Sequence, residues 1–340
     1  MAQEEPPSLS KPLHAPTLTE LLGIEVPLIQ APIGSAACPE LAAAVSNAGG
    51  LGFLGLSWHD LPRLRQAIAT TQSLTPRTFG VNLVLEWPQD ERLEASLESG
   101  VPVVSTFWGD PARYVRRIRA SGALHLHTVG SVLEACRAVE LGVDVVVAQG
   151  VEAGGHVGGN EPLRSLLAAV IEAVDPTPVV AAGGIATGAH AAELVALGAA
   201  GVWVGTRFVC STEANAHAMY QEAIITAKGD ETFHGEVFDG GWEQAPHRVL
   251  RNSTVSAWLE AGSPEPGERP GEGEIVARHP DGRAVERYAV TLPQRGTLGD
   301  VEALALYAGT GVGAVHAVAP AAEIVSEFRE FLGVPVPVER

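Results

Sequence analysis

The sequence predicts a closed (β/α)8 TIM barrel with a small C-terminal addition, and three observations carry that prediction. From about residue 18, short β-branched runs alternate with longer Ala- and Leu-rich stretches of helical spacing. Eight such runs occur before residue 228, with successive starts mostly 20 to 28 residues apart, the length of one strand, one helix and two short loops. The 340 residues, 46% of them apolar, suffice for a large core in one or two domains. An open doubly wound sheet would show the same alternation, but eight evenly spaced units favour closure.

The chain begins MAQEEPPSLSKPLHAP, polar and proline-rich, so residues 1–16 read as a flexible arm without the basic-then-apolar pattern of an export signal. The barrel is expected over 17–228. Its strands fall at 28–31, 51–55, 79–83, 102–106, 123–128, 144–148, 178–182 and 201–205, with a longer step only around 149–177. Helix starts stand between them: Pro39-Glu40 opens 39–47, Asp60 opens 60–69, Asp110-Pro111 opens 110–120 and Ser131 opens 131–140. Gly49, Gly122 and Gly142 sit where helices stop, because glycine enters the left-handed conformation of a C-cap without strain.

Beyond residue 228 the rhythm breaks, and 229–340 reads as a C-terminal excursion with helices packed on the barrel. Residues 261–300 are rich in Pro, Gly, Glu and Arg, and about 274–292 alternates around Asp281-Gly282 as a β-hairpin does. A solvated surface hairpin is the preferred reading. A lid, or a contact in an oligomer such as a homodimer, is the alternative. Helical stretches are expected at about 298–308 and 320–332.

With 22 Lys+Arg against 40 Asp+Glu, the net charge is −18. Nucleic acid and anionic membranes need clustered positive charge to displace counterions, so neither is an expected partner. A small molecule recognised locally fits better. Lys11 and Lys228 are the only lysines, which leaves Schiff-base catalysis almost without a nucleophile. Cys38, Cys136 and Cys210 lie far apart with no CxxC spacing, so a zinc ribbon or disulfide framework is not expected and a reducing, cytoplasmic setting is. No apolar run reaches the roughly 18 residues of a membrane helix.

Chemistry in such a barrel sits at the carboxyl ends of the strands. There the sequence places Ala31-Pro32, Asn82, Phe107-Trp108, Gln149, Gly183-Gly184 and Gly205-Thr206. One Gly-Gly pair is ordinary material for a tight turn. Glycine turns after both the seventh and the eighth strand together describe a phosphate cradle, in which backbone N–H groups hold a dianion without lysine. Gln149 opens QGVEAGGHVGG, where a histidine among glycines lets backbone approach a flat ligand. A loop histidine taken alone is more often structural, but this one stands at a strand end. His156 is therefore the candidate base, since imidazole exchanges protons near neutrality.

His125 and His127, two apart on the fifth run, share one face. With no third ligand nearby they read as interior or rim residues rather than a metal pair, and with Trp108 they are candidates for the substrate pocket. GTGVGA at 309–314 matches GxGxxA but follows a helical stretch rather than a strand, and reads as accidental.

PLIQAPIG, ELAAAVSNAGGLGFLG, FGVNL, VVAQGVEAGGHVGG, VVAAGGIATG and GVWVGTRF, in that order over roughly 18–335, resemble the FMN-dependent nitronate monooxygenases, formerly called 2-nitropropane dioxygenases. Each motif alone is weak; together they are specific. The resemblance implies FMN as cofactor and the barrel that the spacing already suggests. By position it implies that Ala31, Pro32, Asn82, Gln149, Gly154, Gly155, Gly183 and Gly184 contact the flavin and that Trp203, Val204, Gly205 and Thr206 wrap its phosphate. It also implies that His156 is the catalytic histidine. Similar enzymes oxidise nitronates, in some cases nitroalkanes, with molecular oxygen to carbonyl compounds and nitrite. His156 would remove the α-proton of a nitroalkane or hold the anionic nitronate beside the flavin.

The chain departs from the family pattern at Trp203, where Gln is frequent, at Val157, where Arg is frequent, and around 124–125, where some members carry lysine. Lost positive charge bears on anion binding, and His125, His127 and Arg207 are the local substitutes. The nearest rival is a flavin-dependent enoyl-acyl-carrier-protein reductase, which shares the barrel, FMN and an EAGGH-like segment but draws on NAD(P)H. A flavin-binding protein without turnover and a metal-dependent barrel hydrolase are the remaining readings.

Overall fold

A computed structural model describes residues 16–335. The predicted N-terminal arm, apart from Pro16, lies outside the described residues. Each of the eight runs forms a barrel strand: β1 Leu28–Gln30, β2 Gly52–Gly55, β3 Phe79–Val84, β4 Val103–Phe107, β5 Leu124–Val129, β6 Val145–Gln149, β7 Val179–Ala182 and β8 Gly201–Val204. All neighbours are parallel and follow chain order from β2 to β8, and β8 pairs with β1 in the register Leu28↔Val202 and Gln30↔Val204. The ring closes between β1 and β2: Gln30 N–H donates to the Leu51 carbonyl and Leu51 N–H to the Leu28 carbonyl, both at 2.9 Å. Closure leaves no unpaired edge, which is why a parallel sheet of this size is stable as a barrel.

Alternation along each strand sorts side chains into two cores. Ile29, Phe53, Leu126, Val145, Val147, Val180 and Trp203 point inward and fill the barrel, with Phe53 and Trp203 rings 4.9 Å apart. Gly80 makes room for that layer: a Cβ there would stand 2.3 Å from the Phe53 ring. Val129, Val146, Ala148, Val179, Val202 and Val204 point outward and pack under the helices, for instance against Leu166, Leu167 and Val170 of helix Leu163–Val174. Each such aliphatic side chain, fully buried, stabilises the fold by about 1.5–3 kcal/mol.

The helices start and stop for readable reasons. Helix Leu61–Leu74 is capped by the Asp60 carboxylate, which accepts from Arg63 N–H at 2.8 Å. It continues past the predicted end at 69 because no breaker intervenes before Thr75, the residue that precedes Pro76. Helix Val132–Leu141 is capped by Ser131 and ends on Gly142 at φ 95°. The long step after β6 holds a loop with the two-residue strand Gly155–His156, followed by helix Leu163–Val174.

The C-terminal segment shares the barrel's outer core through Phe238, Val249, Tyr307 and Phe328. Strand His247–Leu250 pairs antiparallel with Gly155–His156 on one side and with Thr232–Gly235 on the other. The predicted hairpin forms, with Ile275–Arg278 against Ala284–Glu286 and Leu298–Gly299 along its other side. Helix Ala321–Phe331 agrees with the expectation at 320–332. The helix expected at 298–308 does not form. A 3-10 turn at Val301–Ala303 gives way to buried extended chain, in which Leu250 N–H donates to the Leu306 carbonyl at 2.8 Å. Residues 303–308 are buried on every side, and a run without a polar face cannot serve as a surface helix.

Candidate active site

At the carboxyl ends of the strands lies a cavity of about 590 Å³. Of the residues singled out from sequence, Ala31, Pro32, Asn82, Gln149, Gly154, Gly155, His156, Gly183, Gly184, Trp203, Gly205 and Thr206 line it. Phe107 lines it too, whereas Val204, His125, His127, Trp108 and Arg207 do not. Val204 alternates with Trp203, so its side chain lies fully buried under the outer helices. His125 and His127 alternate with the inward-facing Leu126 and Thr128 and therefore also point outward. Trp108, at φ 62°, stands behind the wall with its ring edge-on to Trp242 at 4.9 Å and to His156 at 6.3 Å. Arg207 turns from the cavity and donates to the Ala317 carbonyl at 3.3 Å.

One end of the cavity is backbone. Gly183 and Gly184 adopt φ 122° and 65°, conformations that favour glycine, and a Cβ on Gly184 would meet Thr310 Oγ1 at 2.8 Å and the Glu152 side chain at 3.0 Å. The N–H groups of Gly184, Gly205 and Thr206 find no acceptor among the described residues. The Thr206 hydroxyl accepts from Gly309 N–H at 3.0 Å, and Thr310 N–H donates to the Glu152 carbonyl at 3.0 Å. GTGVGA therefore forms no dinucleotide turn. It is a 3-10 segment, Thr310–Ala314, whose start closes over the glycine turns, with Gly311 in the cavity wall.

The other end is aromatic. The His156 ring stacks on Trp242, centroids 3.9 Å apart and planes 23° from parallel, with Tyr307 at 5.6 Å and His247 at 5.5 Å. Gln149 at the end of β6 holds the histidine backbone by donating from Nε2 to the His156 carbonyl at 3.2 Å, while its Oε1 is buried without a partner. His156 is half-buried as a residue, but its Nε2 is shielded and unpaired. Burial in this aromatic setting, with His247 adding repulsion, holds the imidazole down to about 3, so it is neutral at physiological pH.

The neighbouring histidines are neutral as well. His247 accepts from Phe238 N–H at Nε2, 3.1 Å, so its proton sits on Nδ1 and is donated to the Ala245 carbonyl at 2.9 Å; burial lowers it to about 4. His125 Nε2 and His127 Nδ1 both lie 2.7 Å from the Thr106 hydroxyl. One hydroxyl proton serves a single ring nitrogen, so one ring donates to the Thr106 oxygen and the other accepts its proton, which requires the accepting ring to be neutral with its bare nitrogen toward Thr106. Burial puts His125 at about 3 and His127 at about 4.

Sequence reasoning missed the cover of the site. Trp242 and Tyr307 line the cavity beside His156, and His279, Asp281 and Arg283 of the hairpin line its mouth with Arg63 and His59. The hairpin is a rim of the cavity rather than a purely solvated loop. The one local signal was composition: Gly240-Gly241-Trp242 and the buried ALALY run at 303–307 put aromatic residues in segments with no barrel role.

The nitronate monooxygenase family model matches residues 15–330. The chain belongs to the nitronate monooxygenase family. A probable nitronate monooxygenase of Staphylococcus aureus (strain Newman) is 32% identical over 66% of this chain and 76% of its own. The (3aS,4S,5R,7aS)-5-hydroxy-7a-methyl-1-oxo-octahydro-1H-indene-4-carboxyl-CoA dehydrogenase of Mycobacterium tuberculosis is 36% identical over 72% of this chain and 68% of its own. Among solved structures, FabK from Thermotoga maritima superposes with a TM-score of 0.81 at 32% identity, covering 94% of this chain and 97% of that one. A nitroalkane oxidase from Streptomyces ansochromogenes superposes with a TM-score of 0.76 at 30% identity, covering 93% and 97%. As a family member the protein is a flavin-dependent oxidoreductase with a TIM-barrel fold. Among the described residues no helix is long and apolar enough to cross a membrane.

Proposed function

We propose that this family member binds FMN and oxidises alkyl nitronates with molecular oxygen to carbonyl compounds and nitrite. The observation that carries the reading is a neutral histidine, His156, held at a strand end on the wall of a cavity whose far end is an array of unpaired backbone N–H groups. Those N–H groups fit a phosphate, and the orphaned Gln149 Oε1, with Asn82, fits the polar edge of a flavin ring. FMN, when bound, supplies the electron transfer and oxygen chemistry.

The protein's part is placement. A histidine held to about 3 is a weak base, so His156 is poorly matched to removing a carbon-bound proton at neutral pH and well matched to hydrogen-bonding a substrate already ionised. The aromatic wall of Trp242 and Tyr307 keeps water from that bond and strengthens it. Gln149 fixes the height of His156 through its carbonyl. Arg63 and Arg283 also line the cavity, each paired with an aspartate, Arg63 with Asp60 at 3.6 Å and Arg283 with Asp281 at 2.8 Å, so the mouth adds little net positive charge and the anion is held by the N–H groups inside.

The test is oxygen uptake and nitrite release by FMN-loaded protein given propionate 3-nitronate without nicotinamide. A second reading is reduction of an enoyl thioester by NAD(P)H, supported by the FabK superposition across 94% of the chain. No uptake by flavin-loaded protein, with NADH oxidation on adding an enoyl thioester, would replace the first reading by the second.

A further inference from the structure

Trp242 carries a buried donor, Nε1–H, with nothing to donate to among the described residues. The residue is 4% exposed and its indole forms part of the cavity wall. A buried indole ordinarily finds an acceptor. Trp258 does so, donating from Nε1 to the Pro264 carbonyl at 3.0 Å. Trp242 is the exception, and its stacking partner has the same deficit: His156 Nε2 is shielded and unpaired too. Trp87 and Trp108 stand edge-on to Trp242 at 5.2 and 4.9 Å, so the indole is wedged and cannot turn toward an acceptor in its own loop. Two ring nitrogens of one stack, in residues that line one cavity, thus have no partner among the described residues.

We propose that Trp242 is a substrate-binding residue whose Nε1–H donates to an oxygen of the substrate beside the hydrogen bond made by His156. An indole N–H only donates, and a neutral imidazole protonated at Nε2 donates as well. The pair selects a planar anion with two adjacent acceptor oxygens, a nitronate or a carboxylate. The choice of nitronate as substrate rests on the function proposed above. The donor role of Trp242 does not.

The test uses Trp242→Phe, which keeps an aromatic ring on His156 and removes the N–H together with part of the indole, so a readout that needs no turnover separates the lost hydrogen bond from the lost ring area. In FMN-loaded full-length protein, KM for propionate 3-nitronate is expected to rise about tenfold or more, as for loss of one hydrogen bond to a charged group, with flavin content and absorption spectrum unchanged and kcat changed less. A second readout needs no turnover. In 15N-labelled protein, the indole resonance missing from Trp242→Phe belongs to Trp242, and it is expected to move downfield on anaerobic addition of the nitronate or of 3-nitropropionate. If the wild type consumes no oxygen, the nitronate function fails and the resonance alone decides the role of Trp242. A Trp242 resonance that neither anion moves, or an unaltered KM in an active variant, overturns the proposal.

Discussion

Lowering the pH should unfold this protein through its histidines before its carboxylates matter. His125 and His156 sit at about 3 and His127 and His247 at about 4, against an ordinary 6.5, in each case chiefly because burial penalises the charged ring. The unfolded chain takes up these protons below 6.5 while the fold refuses them. The sign is therefore fixed: the stability is fully present above 6.5 and is lost progressively as pH falls toward 3. Each group costs about 1.4 kcal/mol per pH unit in that window, hence about 2 kcal/mol at pH 5 and about 8 kcal/mol for the four together. That is comparable with the whole stability of an ordinary protein, about 5–15 kcal/mol. Urea unfolding at pH 7.5, 6.0 and 5.0 measures it directly, with uptake of about four protons or more per molecule unfolded near pH 5, since His59, His234 and His279 are lowered by burial as well. A midpoint that does not move between 7.5 and 5.0, or four imidazoles titrating near 6.5 in the folded protein, would refute the burial argument.

Other expectations concern single residues. Thr106→Val removes the hydroxyl shared by His125 and His127 and should cost about 2–3 kcal/mol in unfolding measurements while leaving turnover per bound flavin unchanged, because the cluster faces away from the cavity. Lost turnover with retained flavin would place those histidines in the site after all. His156→Asn should lower nitronate turnover a hundredfold or so without loss of flavin, and wild-type kcat/KM should show no acid limb near 6.5, since the ring is neutral throughout. An acid limb near 6.5 that vanishes in the variant would show a base titrating normally. Gly184→Val puts branched carbon where a Cβ already meets Thr310 Oγ1 at 2.8 Å and imposes φ 65° on a β-branched residue, so purified protein should carry much less flavin. Normal flavin content by absorbance would remove that turn from the cofactor site.

The barrel was legible because buried parallel strands are written as continuous apolar runs, VVVAQ at 145–149 and VVAA at 179–182, set between glycines and prolines. The helices were legible by their ends: Asp60 and Ser131 cap as expected, and Gly142 terminates as expected. Residues 298–308 were misread for a physical reason. Leu and Ala favour helix by propensity, but a segment that lies wholly inside the protein beside His247–Leu250 is governed by the strand it meets, which is distant in sequence.

The same distinction divides the site. Its floor and glycine end come from strand ends, each local in sequence, and alternation carried one step further would have turned Val204, His125 and His127 outward, since Trp203 and Leu126 face in. Its cover was illegible because Trp242, Tyr307 and the rim of the hairpin reach His156 through contacts that no period in the sequence encodes. That cover decides the chemistry. From residue type alone, His156 is a base poised near neutrality. Enclosed by Trp242 and Tyr307 and facing His247, it stays neutral, and under the function proposed here it serves as a hydrogen-bonding group, which shifts the expected substrate from a carbon acid to an anion already formed.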